Sequence, residues 1–93
     1  MHRRFTKDEL RELRNDVDIR RVIVDLLQIP TKNPDGIFRF LCPLCSEFNS
    51  ATNPKTNLAR CFRCERNFNP IDIVIAAKKL TFVEAVEFLL QRS

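Results

Sequence analysis

The pattern of apolar and polar positions is helical at both ends of the chain and changes in the middle. In the amino-terminal third, apolar residues recur at helical spacing and predict a helix that ends before Pro30. Ahead of it, Thr6 and Glu9 have the spacing of a capping box, which marks the start of an earlier helix. We therefore predict two helices within about residues 6–29. The apolar face of the second helix comprises Ile19, Val22, Ile23, Leu26 and Leu27.

The carboxy-terminal quarter of the chain has the same helical pattern. Asn69 followed by Pro70 supplies a cap and a proline at the first helical position, and Thr81 with Glu84 forms a second capping-box pattern. These signals predict two helices within about residues 70–92. Their apolar positions are Ile71, Val74, Ile75, Phe82, Ala85, Val86 and Leu89. We expect the helices at the two ends to pack together through Ile19, Ile23, Leu26, Val74, Phe82, Val86 and Leu89.

Strand and turn signals replace the helical period over about residues 36–68. The Asp35-Gly36 turn precedes aromatic and branched residues that run into Cys42, as in a strand. A turn over residues 53–57 lies between the short arms "SAT" and "LAR". A three-stranded antiparallel ribbon accounts for these signals. The predicted fold class is α+β, a small ribbon flanked by amino- and carboxy-terminal helices, with residues 1–93 as one domain.

The four cysteines occur as two Cys-x2-Cys pairs, Cys42 with Cys45 and Cys61 with Cys64, and fifteen residues separate the pairs. This spacing is typical of zinc sites. Four thiolates fill a tetrahedral shell and leave no position for water, which favours one structural zinc ion over a catalytic one. Two disulfides or four unrelated buried thiols are the alternatives, and both the spacing and a reducing compartment disfavour them. His2 is a further possible ligand in a terminal segment, but four better ligands are present.

Composition narrows the class of protein. The chain has 93 residues, of which 44% are hydrophobic and 30% charged, so it is expected to be globular but too short for a large core. We find no apolar run long enough to span a membrane and no signal peptide, and we therefore expect a cytoplasmic protein. A closed metal site and one terminal histidine provide no nucleophile with a base, so we expect neither catalysis nor a small-molecule substrate.

Several motifs together resemble the amino-terminal zinc-binding domain of DnaG-type bacterial primases. They are "DIRRVIVDLLQI", "GIFRFLCPLC", "CFRC" and "NPIDIVIAAKKLTFVEAVEFLL", and they cover roughly residues 15–91. That family has a Cys-Pro-x-His knuckle, a Cys-Phe-Gly-Cys knuckle and a helical tail with a Phe-x-Glu-Ala-Val motif. The resemblance implies a zinc ribbon that contacts single-stranded template DNA and helps a primase to recognise where to start.

The chain also departs from the family pattern. Cys45 stands where the family usually has histidine, a change that a tetrahedral zinc site tolerates, and Arg63 replaces the glycine of the second knuckle. Residues 65–68, "ERNF", replace a glycine-rich turn. The sequence stops at Ser93 without an acidic polymerising domain, so we expect a non-catalytic module, either an excised domain or a stand-alone protein. Such a module would act in DNA replication beside a separate polymerase, primase or helicase, as small proteins of phages and mobile elements do.

The distribution of charge is a separate indication of nucleic-acid binding. The net charge is +4, and residues 36–68 contain five basic side chains against two acidic ones. An aromatic residue inside the second knuckle offers a face for stacking on a base. In one alternative, the arginines offset the negative charge of a four-thiolate zinc site and Phe62 packs on the helices. In another, the module docks to a polymerase or helicase and has little affinity for DNA. The candidate residues for binding single-stranded DNA are Arg39, Lys55, Arg60, Phe62, Arg63 and Arg66.

Overall fold

The computed structural model describes residues 5–92, which form four helices and two small antiparallel sheets. His2 lies outside the described residues. The helices are α1 (Lys7–Asn15), α2 (Ile19–Arg21, continued by the π-helical turn Val22–Leu26), α3 (Pro70–Lys78) and α4 (Phe82–Arg92). The strands are β1 (Thr31–Lys32), β2 (Arg39–Phe40), β3 (Ser50–Asn53), β4 (Leu58–Cys61) and β5 (Arg66–Phe68). The predicted α+β class, with helices at both ends, is confirmed.

Local side-chain chemistry sets the start of the amino-terminal helices. The Thr6 hydroxyl accepts a hydrogen bond from the Glu9 amide, and the Glu9 carboxylate accepts one from the Thr6 amide, at 3.0 and 3.1 Å. The predicted capping box of α1 is therefore confirmed. Asp18 caps α2 in the same way through the Arg20 amide. The second helical segment stops at Leu26, earlier than Pro30 requires, and Gln28 adopts a left-handed backbone with φ 53°.

The ribbon differs from the predicted one in its third strand. The three-stranded sheet has the order β3-β4-β5, and a separate two-stranded sheet pairs β1 with β2. The assignment of the segment leading to Cys42 to the ribbon sheet was therefore wrong, and the strand β5 within residues 65–68 was not predicted. The third strand of the ribbon is β5, because Ala59 pairs with Phe68 and β5 therefore lies along the edge of β4 that β3 leaves free. Among these residues, Glu65 makes the turn with φ 54°.

The carboxy-terminal helices begin where the sequence predicts. The Asn69 side chain accepts the Asp72 amide at 2.8 Å, and the Thr81 hydroxyl accepts the Glu84 amide at 3.2 Å. The Glu84 carboxylate in turn accepts a hydrogen bond from the Thr81 amide, which lowers the pKa of that carboxyl group. Pro70 stands at the first position of α3, as expected from its missing amide donor.

The core lies between the helices and the inner side of the sheets. Side chains from α1, α2, α3 and α4 pack with those of β2, β4 and β5 into one buried cluster. The predicted contribution of Phe82 was wrong, because its side chain is 48% exposed. Phe82 is the first residue of α4 and lies at the end of its apolar stripe, beyond the part of the helix that packs on the core. The buried apolar residues are Leu13, Ile19, Val22, Ile23, Phe40, Cys42, Ala59, Cys61, Phe68, Ile71, Ile73, Val74, Ala85, Val86 and Leu89.

The helices of residues 5–92 are all too short, or insufficiently apolar, to cross a lipid bilayer.

Candidate metal centre and nucleic-acid interface

Two tight turns bring the cysteine pairs together at one end of the ribbon. The first knuckle, residues 42–45, is closed by the Ser46 amide, which donates to the Cys42 carbonyl at 2.9 Å. The second knuckle, residues 61–64, connects β4 to β5. After each knuckle the chain turns through a left-handed residue, Ser46 with φ 58° and Glu65 with φ 54°. The same backbone device therefore directs both pairs of sulfur atoms toward one point.

The four sulfur atoms have the spacing of a tetrahedral metal site. All four Sγ atoms lie within 4.8 Å of one another. The Sγ atoms of Cys42 and Cys64 are 3.9 Å apart, and those of Cys45 and Cys61 are 3.6 Å apart. Sulfurs about 2.3 Å from a central zinc ion would be separated by about 3.8 Å, whereas a disulfide requires about 2.0 Å. The donor set fits one zinc ion, and none of the four cysteines is paired in a disulfide.

Hydrogen bonds and mutual proximity shift the acidity of the thiols. The Leu44 amide donates to Cys42 Sγ and the Cys64 amide to Cys61 Sγ, both at 3.4 Å. Burial raises the pKa of Cys42. Burial also acts to raise the pKa of Cys61, but the Cys64 amide and the neighbouring thiols lower it to about 7. Burial and the neighbouring thiols raise the pKa of Cys64 to about 12. Thiols this close do not ionise independently, and a cation among them favours their thiolate forms.

The outer face of the three-stranded sheet is open to solvent. Arg60 and Phe62 are two positions apart along β4 and its extension, so their side chains lie on the same face. The Phe62 amide donates to the Asn49 carbonyl at 2.8 Å, which extends the pairing with β3. Across the sheet, Arg60 pairs with Ala51 on one side and Asn67 on the other. The Phe62 side chain is 47% exposed, and it does not pack against the helices as one alternative required.

A shallow concavity of about 350 Å³ occupies this outer face. Arg60 donates to the Asn67 side-chain oxygen at 3.1 Å, and its guanidinium carbon lies 6.0 Å from the centre of the Phe62 ring. That distance is at the limit of a cation–π contact. An arginine, an exposed aromatic ring and amide side chains thus surround one small depression. Its lining residues are Ala51, Thr52, Asn53, Thr56, Leu58, Arg60, Phe62 and Asn67.

Besides Arg60, two of the candidate DNA-binding residues have protein partners, and these partners lie outside the concavity. Arg63 forms an ion pair of 2.8 Å with Glu47, and the two side chains are 60% and 53% exposed. Because Glu47 follows the first knuckle and Arg63 belongs to the second, this pair bridges the two knuckles. Arg39 donates to the Ser50 carbonyl at 3.0 Å and thereby links β2 to β3.

The remaining two candidates lie apart from Arg60 and Phe62. Lys55 is exposed in the turn between β3 and β4, at the end of the hairpin away from the knuckles. Arg66 pairs with Cys61 across the sheet, and directly opposed residues point to the same face. Arg66 therefore belongs to the face that carries the cysteine, opposite to Arg60, and its guanidinium carbon lies 5.8 Å from the Phe68 ring. The structure brings together Arg60 and Phe62 but not all six residues.

Sequence reasoning missed three residues around the concavity, Thr52, Asn67 and Arg20. The Arg20 Nε atom donates to the Thr52 hydroxyl at 3.1 Å, across a sequence separation of 32 residues. A contact over that distance leaves no local signal in the sequence. Asn67 was missed because strand β5 was not predicted. Assigning β5 as a strand and pairing Asn67 with Arg60 would have identified it.

A small antiparallel ribbon with a closed four-cysteine cluster defines a zinc-ribbon domain, and comparison with known proteins gives its family. The family model of the CHC2 zinc finger, which is a DnaG-type zinc ribbon, matches residues 5–93, so the chain belongs to this family. A DNA primase from Halalkalibacterium halodurans is 32% identical over 95 residues. That alignment covers 100% of this chain but 16% of the primase, so the chain spans about one sixth of its relative. The resemblance to primase zinc-binding domains is confirmed, and the cysteine cluster is consistent with one structural zinc ion.

Proposed function

We propose that residues 1–93 act as one non-catalytic zinc module of the primase type, which binds single-stranded DNA for a priming or replication enzyme. In this proposal Cys42, Cys45, Cys61 and Cys64 bind one zinc ion, which ties the two knuckles together. Bound zinc supplies structural stability here rather than reactivity, because four thiolates complete its shell. The observation that carries the proposal is the exposed Arg60–Phe62 pair, which lies on the open sheet beside this cluster.

The chemistry of the outer face supports binding to a single strand. An exposed aromatic ring presents a surface on which any base can stack, and a stacked base contributes roughly 1–3 kcal/mol. Arg60 offers a cationic group beside that ring for the adjoining phosphate. The concavity is open and shallow, so it suits a flat base better than an enclosed small molecule.

The other candidates have smaller roles in this proposal. Lys55 contributes a phosphate contact at one end of the face, whereas Arg63 at the other end is held by Glu47 and contacts phosphate only where that ion pair is released. Arg66 acts from the opposite face through its charge. Arg39 already donates a hydrogen bond from Nη1 to the Ser50 carbonyl. In this proposal it therefore attracts DNA through its charge and makes no direct hydrogen bond to it.

The catalytic partner is also part of the proposal. The relative is named a DNA primase, and the present chain corresponds to about one sixth of it. We therefore infer that polymerising chemistry comes from other sequence, either a separate primase or polymerase or another part of a longer protein, and that a helicase is a further candidate partner. A cytoplasmic location and a phage or mobile-element origin belong to this inference.

A protein-docking adaptor with little DNA affinity is the second candidate. It is favoured by large apolar side chains that are exposed away from the concavity. Leu44 in the first knuckle is 47% exposed and Phe82 at the start of α4 is 48% exposed. Such side chains are typical anchors of protein interfaces.

A salt titration of binding to a short fluorescent single strand of DNA tests the primary function. We expect three to five phosphate contacts to give a slope of log K against log salt of roughly −2 to −3.5. Phe62→Ala should leave the slope almost unchanged and weaken binding by about 1–3 kcal/mol, whereas Arg60→Ala should flatten it by about 0.7.

Phe82→Ala is the matched control, because Phe82 and Phe62 are almost equally exposed, at 48% and 47%, and Phe82 lies outside the concavity. All variants should be compared with zinc bound. The absence of salt-dependent binding by the zinc-loaded protein at low salt would exclude the DNA-binding module and favour the adaptor. Equal losses in Phe62→Ala and Phe82→Ala would place the interface elsewhere.

A further inference from the structure

A cationic side chain from α2 lies at β3, an edge strand of the ribbon. The Arg20 Nε atom donates to the Thr52 hydroxyl at 3.1 Å, and its guanidinium carbon lies 4.5 Å from the centre of the Phe38 ring. One planar edge and one flat face of the guanidinium group are thus held by protein contacts. Arg20 is nevertheless exposed, so the remaining N–H groups face solvent in a fixed orientation.

The contact with Thr52 places this group beside the proposed DNA-binding face. Thr52 lines the concavity, and its neighbour Ala51 pairs directly with Arg60 across the sheet. Residues paired across antiparallel strands lie about 4.5–5.5 Å apart, and successive residues of a strand about 3.3 Å apart. Thr52, which holds the Arg20 side chain, is therefore one residue along β3 from Ala51, the residue that pairs with Arg60 on the next strand. Thr52 pairs with the buried Ala59, so its side chain points to the face opposite Arg60, and the two cations lie on either side of the edge strand β3.

The charge of Arg20 has no acidic partner among residues 5–92. The nearest acidic group along the chain is Asp18, whose carboxylate accepts the Arg20 backbone amide at 2.9 Å to cap α2. No ion pair is found between the Arg20 guanidinium and a carboxylate in the described part of the chain. A preorganised, exposed and unneutralised guanidinium group is well suited to a phosphate, because its planar N–H groups match two phosphate oxygens.

We propose that Arg20 binds a backbone phosphate of the same single strand that stacks on Phe62, so that the DNA interface continues from the sheet onto α2. This inference rests on the proposed DNA-binding function. The path begins at Phe62 beside the second knuckle, passes Arg60 and crosses the edge of β3 at Thr52. Arg20 then serves as a positioning contact that fixes the direction of the strand across the sheet.

The neighbouring arginine in α2 provides a matched control. Arg21 carries the same charge, but its guanidinium group donates to the Arg92 carbonyl at 3.4 Å, on the side of α4. In the salt titration, Arg20→Ala should flatten the slope by about 0.7 and weaken binding roughly five- to tenfold at low salt. Arg21→Ala should leave the slope unchanged. Arg20→Lys should retain the slope, because the charge remains, while losing part of the affinity.

A second variant separates phosphate binding from a purely structural link between α2 and the sheet. Thr52→Val removes the hydroxyl that accepts the Arg20 bond but keeps every charge, so its slope should equal that of wild type. Zinc content and thermal unfolding are measured for each variant. The inference is overturned if Arg20→Ala and Arg21→Ala have the same slope, or if Thr52→Val reproduces the change in slope. If Arg60→Ala and Phe62→Ala weaken binding as expected in that case, the proposed function stands without it. Absence of binding by wild type would overturn both.

Discussion

At the scale of single residues, Asn57 connects the ribbon to the amino-terminal helices. It lies at the end of the β3–β4 turn with a left-handed backbone, φ 56°, and its side chain is 9% exposed. Its oxygen accepts the Ile19 amide at 2.9 Å, and its nitrogen donates to the carbonyls of Arg14 and Val17, both at 2.7 Å. One amide group therefore satisfies an otherwise free donor at the start of α2, one carbonyl in the last turn of α1 and one carbonyl in the segment after it.

We predict that Asn57→Asp destabilises the protein by at least about 2 kcal/mol. Aspartate tolerates the left-handed backbone and still accepts the Ile19 amide, but it cannot donate to the two carbonyls and places a charge beside them. Asn33→Asp makes the same chemical change at an exposed position and should alter stability by no more than about 0.5 kcal/mol. Chemical denaturation of the zinc-loaded variants measures both. Equal stability of the two variants would show that the three hydrogen bonds contribute little.

Asn57 also shows where sequence interpretation reaches its limit at this scale. The sequence predicted a turn over residues 53–57, which is correct, because asparagine and proline have local turn preferences. It did not predict the buried role of Asn57, since the partners of the side chain lie 38 to 43 residues away. Phe82 is the opposite case, because its helical spacing predicted burial at a position that remains exposed.

At the scale of elements, local chemistry predicted the helix starts, and register determined the sheet. The boxes at Thr6 and Thr81 require only residues three apart, so they were predictable from sequence. Strand β5 was not predictable in this way, because only one of its three side chains is buried and the turn before it uses Glu65 where glycine is the usual signal. The cysteine cluster was predictable because two identical knuckles define it. The common face of Arg60 and Phe62, and the separation of Arg66 from it, depend on strand pairing.

The ion pair between the two knuckles is expected to affect DNA binding. An exposed pair such as Arg63–Glu47 contributes no more than about 1 kcal/mol to stability, but it occupies a cation that the proposed function assigns to phosphate. Glu47→Gln should therefore strengthen binding to a single strand a few-fold. It should also make the salt slope steeper by about 0.7, because one more phosphate contact forms. The salt titration described above measures both changes.

Two controls separate release of Arg63 from a general change in charge. Glu65→Gln removes an equal charge beside the second knuckle. Glu65 forms no ion pair with another residue of the described range 5–92, so its replacement should leave the slope unchanged. Combining Glu47→Gln with Arg63→Ala should abolish the steeper slope. A steeper slope that persists in the double variant would contradict release of Arg63 and indicate a field effect of the carboxylate.

At the scale of the whole molecule, the metal centre and the helical core lie on the same inner side of the ribbon. The inner side of the sheets contributes Phe40, Ala59 and Phe68 to the same buried cluster as Ile71 and Val74 of α3. The outer side carries no helix and is left to solvent and to the proposed ligand. Within the knuckles, Cys42 and Cys61 belong to the buried cluster, whereas Leu44 and Phe62 are exposed. The metal centre is therefore expected to tie the knuckle end of the ribbon to the core.

This arrangement predicts a single unfolding transition when zinc is removed. Structural zinc contributes on the order of 10 kcal/mol in small modules, which is comparable to the whole stability of a domain of this size. Because Ala59 and Phe68 belong both to the ribbon and to the core, loss of the ribbon should also reduce the helical circular-dichroism signal. Cys61→Ser should lose bound metal in elemental analysis and resemble the chelated wild type. Adding zinc back to the chelated protein should restore the signal. Chelation that released zinc but left the helical signal and thermal stability unchanged would show that the core folds independently of the ribbon.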